Sequence, residues 1–197
     1  MFCTAWFEDP NDIERLDDKE TLRAVLRRET RELHDALDAR IGALDLGSRD
    51  AYVRFLQIQL AGREPVENWL SSRADSPNLP NMAATIERDL EAMGGDVPSS
   101  IPAFVPPSEC DAIGAAWVLA GSSLGNRAML RDLDRREARP RSALFLSDPA
   151  MTEAFGTIRQ LIERPVEHPE RAVVAARAVF DHFLAVCDRM LPMAEAA

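Results

Sequence analysis

Residues 19–44, KETLRAVLRRETRELHDALDARIGAL, place Leu22, Val25, Leu26, Leu33, Leu37, Ile41 and Leu44 at spacings mostly of three and four. Side chains so spaced stack on one side of an α-helix, so the stretch reads as a long amphipathic helix ended by Gly47. The pattern continues along the chain. A second helix starts at Ser48 and carries Tyr52, Phe55, Leu56, Leu60, Val66, Trp69 and Leu70, with Pro65 expected to kink or interrupt it because proline has no amide donor. A third, over 82–93, presents Ile86, Leu90 and Met93 and stops at Gly94 and Gly95. A fourth, over 109–132, has Ser108 as its expected cap; 134–149 reads as loop or short turns, and two further helices cover 150–163 and 170–191. No alternating strand pattern competes. The expected fold class is therefore all-α: a compact single-domain helical bundle of six main helices over 20–191, with an N-terminal extension at 1–19 and a tail at 192–197.

Composition narrows the function classes. At 197 residues and 46% hydrophobic, the chain is long enough for one sizeable core. Its 33 acidic and 23 basic residues give a net charge of -10, which argues against nucleic acid and anionic membrane surfaces as partners. The three cysteines, Cys3, Cys110 and Cys187, form neither a disulfide framework nor a thiolate metal site, which fits a reducing cytoplasm. The start MFCTAWFEDP has no basic segment and soon turns acidic, unlike an export signal, and no apolar run approaches the ~18 residues of a membrane span.

Among the histidines only His34 lies well inside a strongly amphipathic helix. Thr30, His34, Leu37 and Ile41 follow spacings that bring the imidazole to or beside the buried stripe. A neutral imidazole there either ligates a metal or heme iron or is a half-buried histidine satisfied by a nearby carboxylate. His168, in a VEHPE turn, and His182, after Asp181, read as surface or locally paired. Gly114, Gly121 and Gly125 fall near one side of the fourth helix. Each costs a helix about 1 kcal/mol relative to alanine, so something approaches that backbone closely: a neighbouring helix or a flat cofactor. Ser122 and Ser123 add hydroxyls.

Two segments carry a resemblance. LRRETRELHDALD, residues 26–38, resembles the proximal helix of bacterial heme oxygenases, and WVLAGSSLGN, residues 117–126, resembles their distal helix. YVRFL at 52–56, PVE at 65–67 and ARAVFDHF extend the likeness over about 20–190, and the chain resembles the bacteriophytochrome-associated branch more than the animal enzymes. The resemblance implies His34 as iron ligand, Gly121 and Gly125 as the glycines that let backbone lie near heme, and Arg27 as a propionate partner. It further implies Arg159 as a second propionate contact and Phe180 as the aromatic by the pocket. Thr30 and Trp117 join the expected heme-contacting set, and Ser122 and Asn126 the distal one. The implied activity is oxidative opening of heme to biliverdin with release of iron and carbon monoxide. Heme is both cofactor and substrate, oxygen the co-substrate, and electrons come from an external donor; whether a phytochrome receives the bilin stays open. The chain departs from the family with Trp117 for a common tyrosine, Ala120 for a common glutamate, and Asn126 where a small residue is usual. The alternatives are a heme-binding or heme-sensing protein without efficient turnover and a helical interaction module. A carboxylate-bridged di-iron bundle is disfavoured because no Glu-x-x-His pair occurs.

Overall fold

The computed structural model describes residues 20–191; the expected extension at 1–19 and tail at 192–197 lie outside the described residues. Seven helices and no strand occur among them: α1 Leu22–Gly42, α2 Arg49–Ser71, α3 Ala83–Met93, α4 Ala112–Arg135, α5 Leu144–Ser147, α6 Ala150–Ile162 and α7 Pro169–Met190. The expected all-helical single domain is what the chain forms, with α5 a single turn inside the stretch expected to be loop or short turns. No helix among the described residues is long and apolar enough to cross a membrane.

Helix ends follow local chemistry. The Thr21 hydroxyl accepts from the Ala24 amide (3.3 Å) and caps α1. Gly94, at φ 65°, ends α3 in the left-handed conformation that glycine adopts without steric penalty. α4 begins later than expected and is not capped by Ser108. Its Ala112 amide instead donates to Asp75 Oδ2 (3.2 Å), so a residue just beyond α2 satisfies an amide that the helix leaves open. α5 hangs on Asp89, fully buried in α3, whose carboxylate accepts from the Leu144 amide (3.0 Å), the Phe145 amide (2.8 Å) and the Ser142 hydroxyl (2.5 Å).

Of the two outcomes expected at Pro65, interruption does not occur: α2 runs on from Arg49 to Ser71. Proline deprives the Ala61 carbonyl, one turn earlier, of its helical donor. The His182 imidazole on α7 hydrogen-bonds to that Ala61 backbone group. Burial holds His182 below the usual histidine range, and the Ala61 bond partly offsets it. Beside this clamp, Gly62 leaves a notch for Phe183: a Cβ there would sit 2.4 Å from the phenyl ring.

α7 is the central strut. It packs along α1, α4 and α2, while α3 and α5 close over α2 and α4. The core includes Leu26 of α1, Phe55, Leu56 and Leu60 of α2, Leu119 of α4 and Val179 of α7. α1 leans almost wholly on α7 and hardly meets α2 or α4. The gap left on that side is where the site lies.

Candidate functional site

His34 faces this gap because the buried stripe of α1 runs through Leu26, Thr30, His34 and Ile41. It is 5% exposed and lines a cleft with Leu37, Asp38 and Ile41 of α1, Gln59 and Arg63 of α2, Val118, Leu119, Ser122, Gly125, Asn126 and Met129 of α4, and Phe180 and Phe183 of α7. The cleft encloses about 80 Å³ and holds about 600 Å³ once its open mouth is counted. It continues past Asp38, Ile41 and Met129 into a second hollow of about 520 Å³, mouth included, that reaches Leu133 and Arg136. The Phe180 ring meets the imidazole edge-on, with centroids 6.0 Å apart. Carboxylates do flank His34, but Nδ1 is 3.7 Å from Asp38 and 3.8 Å from Asp35, beyond hydrogen-bond distance.

Of the residues singled out in the sequence, His34, Ser122, Gly125, Asn126 and Phe180 come together here from three helices. Others stand elsewhere. Thr30 is fully buried and its hydroxyl donates to the Leu26 carbonyl (2.7 Å), so its polar group is spent inside α1. Gly121 and Trp117 are buried outside the cleft lining. Arg27 is half-buried on α1 and does not line the cleft. Arg159 is exposed on α6 and pairs with Glu163 (3.2 Å).

The glycines divide. A Cβ on Gly114 would lie 1.9 Å from the Ala172 carbonyl oxygen, so there the close neighbour is the backbone of α7. Gly125, three turns on and near the same side of α4, borders the cleft. Helix packing therefore accounts for Gly114, while Gly125, also buried, borders the cleft.

Sequence reading passed over Gln59, Arg63 and Glu67. Arg63 is 0% exposed. Its Nε donates to Glu67 Oε1 (3.0 Å), and its Nη1 donates to Ser122 Oγ (3.0 Å) and the Leu119 carbonyl (3.4 Å). The guanidinium carbon lies 5.5 Å from the centre of the Phe145 ring, while Nη2 has no hydrogen-bond partner. Glu67 Oε2 accepts from the Met82 amide (3.1 Å). A buried ion pair survives only when such hydrogen bonds offset its lost hydration. The available signal was spacing: Gln59, Arg63 and Glu67 recur every fourth residue within an otherwise apolar segment. Ser122 Oγ in turn donates to the Leu119 carbonyl (2.8 Å), so its one proton is committed and toward the cleft it can only accept.

The arrangement is an apolar slot with an imidazole on the α1 wall and a polar strip where α2 meets α4. Three or more His, Cys, Asp or Glu side chains gathered to bind a bare metal ion do not occur among the described residues. A lone imidazole suits a metal whose other ligands come with a flat macrocycle. No known protein-family profile matches the chain, and no curated protein matches it.

Proposed function

We propose that the protein is a heme oxygenase, with heme held in the cleft through His34. The observation that supports this reading is the convergence of His34, Gly125, Ser122, Asn126 and Phe180 on one cleft. His34 belongs to the proximal-like segment on α1, Ser122, Gly125 and Asn126 to the distal-like segment on α4, and Phe180 to ARAVFDHF on α7. The donor set fits the group: one buried imidazole, apolar walls at Leu37, Ile41, Val118 and Phe180, and a glycine on the facing helix where a side chain would take up space.

Bound heme, supplied with oxygen and electrons from an external donor, provides the oxidative chemistry that opens the ring to biliverdin and releases iron and carbon monoxide. The chain does the rest. His34 offers an imidazole nitrogen as ligand, with the Phe180 ring packed edge-on against it. Gly125 keeps α4 clear at the cleft. Asn126 and Gln59 present carboxamides, and Ser122 an acceptor oxygen, which together suit ordered water. Arg27 is the propionate partner that the resemblance implies, although it lies outside the cleft lining; Arg136, lining the outward hollow and paired there with Asp45 (2.6 Å) and Asp132 (3.5 Å), is the arginine the geometry adds to that role.

A second reading, heme binding without efficient turnover, draws on Asn126, whose side chain stands on the cleft wall where the family keeps a small residue. Purified protein mixed with stoichiometric hemin, then reduced in air, separates the readings by absorption. Bilin bands support the oxygenase, a stable Soret band without turnover supports the binder, and an unshifted hemin spectrum rejects both in favour of a helical interaction module.

A further inference from the structure

A cavity that shares no lining residue with the His34 cleft opens where the start of α2, the end of α3 and the segment after α4 meet. It encloses about 400 Å³, or about 770 Å³ with its mouth, within the range of small-molecule sites, roughly 300–1,000 Å³. Its lining is the reverse of what the whole chain would suggest. In a protein of net charge -10, Arg49, Arg139 and Arg141 border this one cavity and no acidic side chain does.

Two further groups in the lining are donors without an acceptor. Tyr52 is 0% exposed, its ring stacked on Phe55 (centroids 6.0 Å apart), and its buried hydroxyl has no hydrogen-bond partner among the described residues. Burial, and after it the charge of Asp89, push the phenol well above its usual range, so it keeps its proton, while Arg139 acts in the opposite sense. Asp89 does not receive that proton, its carboxylate being taken by the Leu144 and Phe145 amides and the Ser142 hydroxyl. A buried hydroxyl left so is costly unless something else accepts from it. Beside it, the Ser48 side chain makes no cap, and the first α2 amide to find a helical acceptor is that of Tyr52, on the Ser48 carbonyl (2.9 Å), which leaves the first-turn amides open. The one acid of that turn, Asp50, is held by Arg49 Nη1 (2.9 Å) outside the lining. Arg49 Nη2 donates to the Gly94 carbonyl (2.7 Å) and Arg139 Nη1 to Asp134 (3.3 Å), each guanidinium keeping further N–H groups. Arg141 forms no hydrogen bond or ion pair among the described residues.

We propose that this cavity binds a phosphate group, free or carried by a small organic molecule, between the open amides at the start of α2, the Tyr52 hydroxyl and the guanidinium groups of Arg139 and Arg141. A helix N-terminus favours an anion by its amides and its dipole, and the arginines supply directional charge. Phosphate fits this set better than a carboxylate, because its additional oxygens accept from amide, phenol and guanidinium together. The site is independent of the heme reading and stands or falls separately from it.

Calorimetric titration of the full chain with inorganic phosphate and with glycerol 3-phosphate, at constant ionic strength, tests this, and the tighter ligand tells free phosphate from an ester. Tyr52→Phe removes only the buried donor and should weaken binding about tenfold while leaving Tm within roughly 3 °C, an outcome that a purely structural tyrosine would not give. Arg141→Gln should weaken it roughly three- to tenfold, less as salt rises, and Arg139→Gln similarly; both residues are exposed, so these variants carry the test if Tyr52→Phe misfolds. Arg131→Gln, an exposed α4 position outside the lining, should bind as the wild type does. Absence of binding by both ligands up to about 10 mM overturns the site, as does binding that Arg139→Gln and Arg141→Gln leave unchanged.

Discussion

The first turn and the middle of α4 carry the same kind of residue and use it differently. At Gly114 the helix touches α7 backbone to backbone, so the missing side chain is occupied by the Ala172 carbonyl. At Gly125, near the same side, α4 and α7 are both walls of a cleft, with Phe180 and Phe183 supplying the α7 side. A small residue on a helix marks close approach without saying what approaches. The identity of the neighbour decides between packing and binding.

Breaking the packed end should have the largest effect. Gly114→Leu drives a side chain into the α7 backbone, where no rotamer change gives relief. It is expected to cost about 3 kcal/mol or more, lowering Tm by roughly 10 °C or preventing folding, as measured by thermal circular dichroism. Wild-type stability in that variant would dissolve the contrast. At the open end, His34→Ala should abolish the Soret-shifted hemin complex while leaving helical circular dichroism intact; unchanged coordination removes His34 as the ligand.

Gly125→Leu sharpens the contrast further. It should keep hemin binding through His34 and lose bilin production, because the added side chain fills cleft space rather than displacing the imidazole. Leucine has the higher helix propensity, so a folded, loaded and inactive variant is not explained by a weakened helix. Full turnover would end the proposed role of Gly125. The smallest effect belongs to Gly156 in α6, where a Cβ would meet nothing within 4 Å. Gly156→Ala should raise stability by about 0.5–1 kcal/mol, read as a Tm increase of roughly 2 °C, with hemin binding unaltered.

The long helices were legible because their apolar spacing is a property of one helix at a time, and His34 could be placed beside the buried stripe by the same period. What the period cannot supply is which neighbour a given side meets. Gly114 and Gly125 fall near one side of α4, yet the first meets the α7 backbone and the second borders the cleft. Arg63 shows the same limit more strongly: an arginine in a helix reads as solvated, yet this one is wholly enclosed because Glu67, Ser122 and Leu119 arrive from the same helix and from α4 to receive it. Pro65 reads as a break until a histidine over a hundred positions later supplies the missing donor.

That last contact has a mechanical meaning. The His182 bond to Ala61 and the Phe183 ring seated over Gly62 engage adjacent points of α2, like a pawl and a tooth on one rack. Sliding α7 by even one residue would disengage both at once, so the axial setting of the two helices is discrete rather than continuously adjustable. Because Phe183 and, one turn earlier, Phe180 also face the cleft, this gearing fixes how deeply the aromatic wall projects toward His34. The depth of the slot is thus tied to the α2–α7 contact at Ala61 and Gly62, beside a proline that costs α2 one hydrogen bond.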